Sequence, residues 1–188
     1  MFNNCTYIDN IFLVVKETEI DTIKSILTNF KSSKPIVYVI GGDSRQESVL
    51  NALILSKLDN VVIHDGARPM LRQEYIENSL IELNQFEGTS IAVKSKDTIK
   101  VADNTGVVTE SIKRENAWII QTPQCFNRKL LLDCHIKQKE VAGITDDCMI
   151  LENMGHKIKL VSGDYTNIKI TTKEDIIIAE NLIKFGGM

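Results

Sequence analysis

No apolar run in these 188 residues approaches the ~18 that a membrane-spanning helix needs, so no membrane partner is expected. Basic charge is also short: 22 Lys and Arg stand against 25 Asp and Glu, a formal net charge of −3. A general nucleic-acid binder carries a basic excess on one face, so nucleic acid is not an expected partner. The four cysteines, Cys5, Cys125, Cys134 and Cys148, show no Cys-x-x-Cys pair and no regular spacing. That argues against the usual zinc frameworks and leaves them as small buried hydrophobes. Met1-Phe2-Asn3-Asn4-Cys5 lacks the basic stretch and apolar core of a signal peptide, which makes the cytoplasm the expected compartment. Internal repeats and linker-like composition are missing too. One domain over residues 1–188 is expected, long enough for a full hydrophobic core.

What is present is alternation. Ile11–Val15 and Ile36–Ile40 are apolar throughout, as strands buried on both faces are. Between them, Glu17–Phe30 carries Ile20, Ile23, Leu27 and Phe30 at helical spacing, and Pro35 opens the second strand, where its missing N–H costs least. Ser44-Arg45-Gln46-Glu47 has the pattern of a capping box, with Val49, Leu50, Leu53 and Ile54 as the buried face of its helix. Val61–Ile63 gives a third strand, and Gln73–Phe86 a helix that ends near Gly88. The pattern predicts an α/β fold: a Rossmann-like, mostly parallel sheet with helices on both faces. The rhythm breaks over residues 94–114. There Thr98–Ala102 and Val107–Ile112 flank the turn signature Asp103-Asn104-Thr105-Gly106, which predicts a β-hairpin too polar for the main core. Such a hairpin reads as a projecting arm for a partner subunit. Further on, Arg128–Lys139 and Asp146–Met154 read as helices, and Ile158–Val161 and Ile168–Thr171 as strands. Thr172–Phe185 closes the chain as a helix capped by Gly186-Gly187.

Chemistry concentrates where strands end. Val61-Val62-Ile63-His64-Asp65-Gly66-Ala67-Arg68-Pro69-Met70-Leu71 runs from a buried strand straight into a carboxylate, two small residues, a guanidinium and a proline. In open α/β sheets, ligands bind at the carboxyl ends of strands. Pro69 biases Arg68 towards an extended backbone. An arginine there suits a bidentate phosphate contact, and a carboxylate suits a magnesium ion or hydroxyl groups. One strand earlier, Gly41-Gly42-Asp43-Ser44-Arg45-Gln46-Glu47-Ser48 links a strand end to a helix start. Its glycines allow close approach, and its free N–H groups favour anionic or acceptor atoms.

These segments resemble, in order, the motifs of the 2-C-methyl-D-erythritol 4-phosphate cytidylyltransferases. Gly41–Val49 looks like the family's Gly-Gly-x-x-Arg-x-x-Ser-Val element, and His64–Pro69 like its His-Asp-(Ala/Gly)-Ala-Arg-Pro signature. Asp97-Thr98-Ile99-Lys100 and Arg114 match the base of the family's arm. Gln121-Thr122-Pro123-Gln124-Cys125-Phe126, Ile144-Thr145-Asp146-Asp147 and Asn167-Ile168-Lys169-Ile170-Thr171 complete the set. Any one match alone is weak; their shared order, from about residue 8 to residue 185, is specific.

The resemblance implies an Mg²⁺-assisted transfer of CMP from CTP to a sugar-alcohol phosphate, releasing pyrophosphate. Gly42, Asp43 and Ser48 would read the cytosine, with Gly66 and Ala67 packed against the nucleoside. Asp65, Arg68, Thr98, Arg114, Thr122 and Thr145 would surround methylerythritol phosphate. Lys169 and Arg114 would be catalytic, Lys169 directing the substrate phosphate, and Asp65 the metal ligand. Because the family's arm pairs two subunits, a homodimer is implied, with Thr98 and Arg114 serving the neighbour's site. The family's opening strand and Pro-Ala-Ala-Gly-x-Gly-x-Arg loop, with the lysine and helix after it, have no match in these residues. The expectation for the chain as given is therefore impaired turnover and open sheet edges. Two alternatives are a ribitol-5-phosphate cytidylyltransferase, which Gly66-Ala67 and Thr145-Asp146-Asp147 disfavour, and an inactive binding protein.

Overall fold

The computed structural model describes residues 1–139, 141 and 143–185. Two apolar strands, β1 (Ile11–Val15) and β2 (Ile36–Ile40), pair in parallel, from Ile11 opposite Ile36 to Val15 opposite Ile40. The helix between them, α1 (Ile20–Leu27), follows a 3₁₀ turn at Glu17–Glu19 and is shorter than its periodicity predicts. Next come α2 (Arg45–Leu55), β3 (Asn60–Ile63), α3 (Gln73–Glu82) and β4 (Gly88–Lys94). A short hairpin, β5 (Lys100–Ala102) with β6 (Val108–Ser111), projects from the body and is exposed along both strands. The rest of the chain is β7 (Trp118–Asn127), α4 (Arg128–Lys137), α5 (Asp147–Glu152), β8 (Ile158–Ser162) and α6 (Lys173–Phe185). The expected Gly186-Gly187 cap lies outside the described residues.

The sheet corrects the mostly parallel expectation. The main sheet has the order β3-β7-β4-β8, and β7 runs antiparallel to both β3 and β4; only β4 and β8 are parallel neighbours. The α/β fold is thus built on mixed and antiparallel pairing. Two strands absent from the sequence reading cause the difference, and both hide for physical reasons. β7 carries Pro123, and a proline argues against a central strand because it cannot donate to the ladder. Here the β4 register shifts between Ser90 and Ala92, and β3 ends its pairing at Ile63 opposite Gln124, so Pro123 falls where no pair is made. β4 opens Gly-Thr-Ser, which reads as a turn, yet it is buried from Gly88 through Val93. Conversely, Ile168–Thr171 is not a strand. Its Ile170 N–H makes a single bond, 2.8 Å, to the carbonyl of Ala67.

Two apolar layers clamp the four-stranded sheet. On one side Leu53, Leu131, Cys134, Cys148, Ile150 and Leu151 from α2, α4 and α5 meet Phe126 of β7. On the other, Tyr75 and Ile76 of α3 join Cys5, Leu71, Ile91 and Val161. All four cysteines are free and buried, in keeping with their reading as small hydrophobes. Burial pushes the Cys125 thiol up to about 12, so it is no thiolate at neutral pH. No helix among the described residues is long and apolar enough to cross a membrane.

Candidate active site

Where β3 stops, the chain turns sharply and its polar groups are tied off by β7. The carbonyl of Arg68 can only accept, so His64 Nε2–H donates to it at 3.0 Å. That leaves Nδ1 of the neutral ring as an acceptor, for the hydroxyl of Thr122 at 3.0 Å. The same Thr122 oxygen accepts the N–H of Asp65 at 3.0 Å. One histidine and one threonine therefore fix the loop that carries Asp65 and Arg68. Burial pushes the His64 imidazole below its usual value, despite the Arg68 carbonyl and the charge of Asp65.

Asp65 Oδ2 sits between two cations, Arg68 Nε at 3.2 Å and Lys169 Nζ at 3.2 Å. Burial pushes this carboxyl upward, but Lys169 and then Arg68 outweigh it and hold it below the usual carboxylate range. Arg68 Nη1 also donates to the carbonyl of Asn167 at 2.8 Å. Asn167 is fully buried, and its amide donates to Gln121 Oε1 at 3.1 Å and to the carbonyl of Thr122 at 3.0 Å. The segment carrying Lys169 is thereby fastened to β7 without forming a strand of its own.

These groups line a depression of about 270 Å³. Its wall consists of Asp65, Arg68 and Lys169, with Ile120, Gln121, Thr122 and Gln124 of β7, then Thr145, Asp146 and Arg45. Asp146 caps α5 by accepting the Met149 N–H at 2.9 Å, and it receives Gln124 Nε2 at 2.9 Å. A larger concavity of about 380 Å³ between α3 and β8 has a single lysine and a single glutamate and gathers no comparable chemistry.

Five of the residues singled out from the sequence, Asp65, Arg68, Thr122, Thr145 and Lys169, thus meet in one depression. Gly66 and Ala67 lie on the same loop, and nothing stands within 4 Å of where a Gly66 Cβ would be. Gly42, Asp43 and Ser48 form the β2–α2 turn and do not line the depression. Ser48 Oγ accepts the Gly42 N–H at 3.0 Å, and Ser44 caps α2 through the Glu47 N–H at 3.1 Å. Glu47 reaches back to the Asp43 N–H at 2.9 Å. Thr98 and Arg114 pair with each other at 3.2 Å on the exposed base of the arm, away from the depression. Sequence reasoning assigned no role to His64, Asn167, Arg45 or Gln124. For all four, the signal was membership in a motif whose neighbours had been given roles.

Among the described residues, no three His, Cys, Asp or Glu side chains gather around a point that could hold a metal ion. Asp65 is the carboxylate expected to do so, and both cations already share its Oδ2. This donor set builds no resident metal centre. A lone carboxylate beside phosphates is, however, a usual way for magnesium to be taken up with a nucleotide.

Comparison with known proteins gives a consistent picture. The family model described as IspD: 2-C-methyl-D-erythritol 4-phosphate cytidylyltransferase matches residues 1–184. The 2-C-methyl-D-erythritol 4-phosphate cytidylyltransferase of Clostridium botulinum (strain 657 / Type Ba4) is 40% identical over 186 residues, 97% of this chain and 81% of that protein. The crystal structure of 4-diphosphocytidyl-2C-methyl-D-erythritol synthase from Anaerococcus prevotii DSM 20548 superposes with a TM-score of 0.88 at 34% identity, over 96% of this chain and 81% of that one. That of 2-C-methyl-D-erythritol 4-phosphate cytidylyltransferase from Francisella tularensis gives 0.79 at 27% identity, over 95% and 82%.

Proposed function

Because the chain belongs to the 2-C-methyl-D-erythritol 4-phosphate cytidylyltransferase family, we propose how its residues divide the work of that reaction. The function is CTP-dependent cytidylyl transfer in the methylerythritol phosphate route to isoprenoid precursors. CMP passes from CTP to the phosphate of the sugar alcohol, and pyrophosphate leaves. The observation that carries the assignment is the Arg68–Asp65–Lys169 cluster in a polar depression at the end of β3.

A substrate phosphate competes with Asp65 for Lys169, whose amine is half exposed and free to swing. Lys169 then holds that phosphate against the α-phosphorus of CTP. Arg68 is tethered through Nε and Nη1, which leaves Nη2 to meet the phosphate. Asp65 repels phosphate and accepts hydrogen bonds, so it takes the hydroxyls of the sugar alcohol, with Thr122 and Thr145 beside it. Gly42, Asp43 and Ser48 receive the cytosine, and the open space at Gly66, next to Ala67, admits the nucleoside. Asp65 is the carboxylate that would hold magnesium beside the triphosphate, where the ion would offset charge on the phosphate oxygens. The Thr98–Arg114 pair at the base of the arm serves a second copy of the chain, in a homodimer, where Arg114 acts on the bound phosphate. The cytoplasm is the compartment for this small-molecule chemistry.

Pyrophosphate release with each nucleoside triphosphate in turn, and with methylerythritol phosphate against ribitol 5-phosphate as acceptor, tests the assignment. Release specific to CTP and methylerythritol phosphate supports it. Equal rates with CTP and ATP would remove the cytosine-reading role of Gly42, Asp43 and Ser48.

A further inference from the structure

Behind the wall of the depression lies a buried charge cluster that the reaction as described does not use. Asp147, the first residue of α5, is fully buried. One of its oxygens accepts Arg45 Nη2 at 2.7 Å, and the other accepts His135 Nε2 at 3.0 Å. His135 is fully buried as well, on α4, and its Nδ1 has no hydrogen-bond partner. Arg45 is different. It stands at the first position of α2, its side chain is 37% exposed, and it lines the depression together with Arg68 and Lys169.

A buried carboxylate must have its lone pairs answered, and leaving an imidazole nitrogen unpaired is costly. The arrangement fits a device in which His135 supplies the hydrogen bond that Asp147 needs on its far oxygen. Asp147 then presents its near oxygen to one edge of the Arg45 guanidinium. The remaining N–H groups of Arg45 have no protein acceptor among the described residues. They face a depression whose other cations are Arg68 and Lys169.

We propose that Arg45 is a third anion-binding cation of this site, and that Asp147 and His135 are positioning residues that aim it at the phosphates. The proposal rests on the assignment of the depression as the substrate site. The anion chemistry can nevertheless be tested apart from cytidine recognition.

The experiment is calorimetric titration of the 188-residue chain with inorganic pyrophosphate, and separately with CTP. Arg45→Ala should weaken pyrophosphate binding by about tenfold, and Arg45→Lys, which keeps charge without the fork, by less. His135→Leu should weaken it severalfold, with His135→Gln, which restores a donor, recovering most of the loss. In the Arg45→Ala background His135→Leu should have no further effect, because the two residues act through one contact. Asp147→Asn enters the same cycle should His135→Leu fail to fold. Equal pyrophosphate affinity in wild type and Arg45→Ala overturns the proposal, as does no binding by the wild type. Losses from His135→Leu that are the same with and without Arg45 overturn the positioning role. Binding of pyrophosphate but not CTP would keep this anion site while removing the cytidine assignment.

Discussion

His64 shows how much one side chain can hold. Its ring is neutral in the fold, accepting from Thr122 and donating to the Arg68 carbonyl, and burial disfavours the charged form. The folded-state value lies below that of the unfolded chain, so the unfolded state binds more protons as the medium turns acid. The His64 contribution to stability is fully present above ~6.5 and is lost as pH falls through the folded-state value. Urea unfolding at pH 8 and at pH 5 should therefore show a loss at pH 5 that His64→Gln reduces. An unchanged difference in the variant would detach the loop from this titration.

Asp65 has the same sign in a lower window. Its stabilising contribution is present above ~3.9 and declines as pH falls below that. Lys169→Ala should raise the Asp65 carboxyl, visible by NMR titration. It should also reduce turnover by at least about tenfold, or ~1.4 kcal/mol, while the melting temperature moves by only a few degrees, because half-exposed ion pairs contribute little. A variant that melts early instead would make Lys169 a structural tie.

At the scale of elements, the start of β4 is packed too closely to admit a side chain. A Cβ on Gly88 would come within 2.7 Å of both Ile158 and Phe126, at the heart of the core. Gly88→Ala should cost ~1–3 kcal/mol by overpacking, whereas Gly66→Ala meets open space and should leave stability unchanged. Thermal melts of the two variants make the comparison. Position 88 also marks where sequence patterning stops being informative. β1, β2, β3 and α2 were legible because unbroken apolar runs and a capping box state their own structure. β4 and β7 were not, since Thr89, Ser90, Gln121 and Gln124 are buried polar residues that read as loop. Their polarity is satisfied only by partners distant in sequence, as in the bond from Ser90 Oγ to the Gln121 carbonyl. The site was more legible than the sheet, because Asp65, Arg68, Thr122, Thr145 and Lys169 stand in local motifs. What local motifs could not reveal was the tie from Arg45 to Asp147 of α5 and on to His135 of α4.

For the whole molecule, the open question is assembly. Ile99, Val101, Val107 and Val108 on the arm are each more than two-fifths exposed. An isolated two-stranded ribbon cannot bury them itself. Pairing two arms about a two-fold axis would cover them and bring Thr98 and Arg114 towards a neighbouring site. Sedimentation should show a dimer, and deleting residues 99–108 should yield monomers that keep the wild-type melting profile of the body. A monomer before deletion would end the arm's role in assembly.

β7 is a continuous stretch that joins the root of the arm to the loop ties and the core. Trp118 pairs with Lys94 at one end, Thr122 holds His64 in the middle, and Phe126 is sealed at the other. Local opening should therefore be graded along a single strand rather than shared by it. Amide hydrogen exchange should be fastest near Ile119 and Ile120, whose side chains are exposed, and slowest at Cys125 and Phe126. Gln121 and Thr122 sit on the boundary between the two regimes. With that gradient, the depression would be walled by the part of β7 where a small input of free energy changes how often the backbone opens. Occupancy of either the arm or the depression would be recorded there as a change in exchange rate, even where no average coordinate moves.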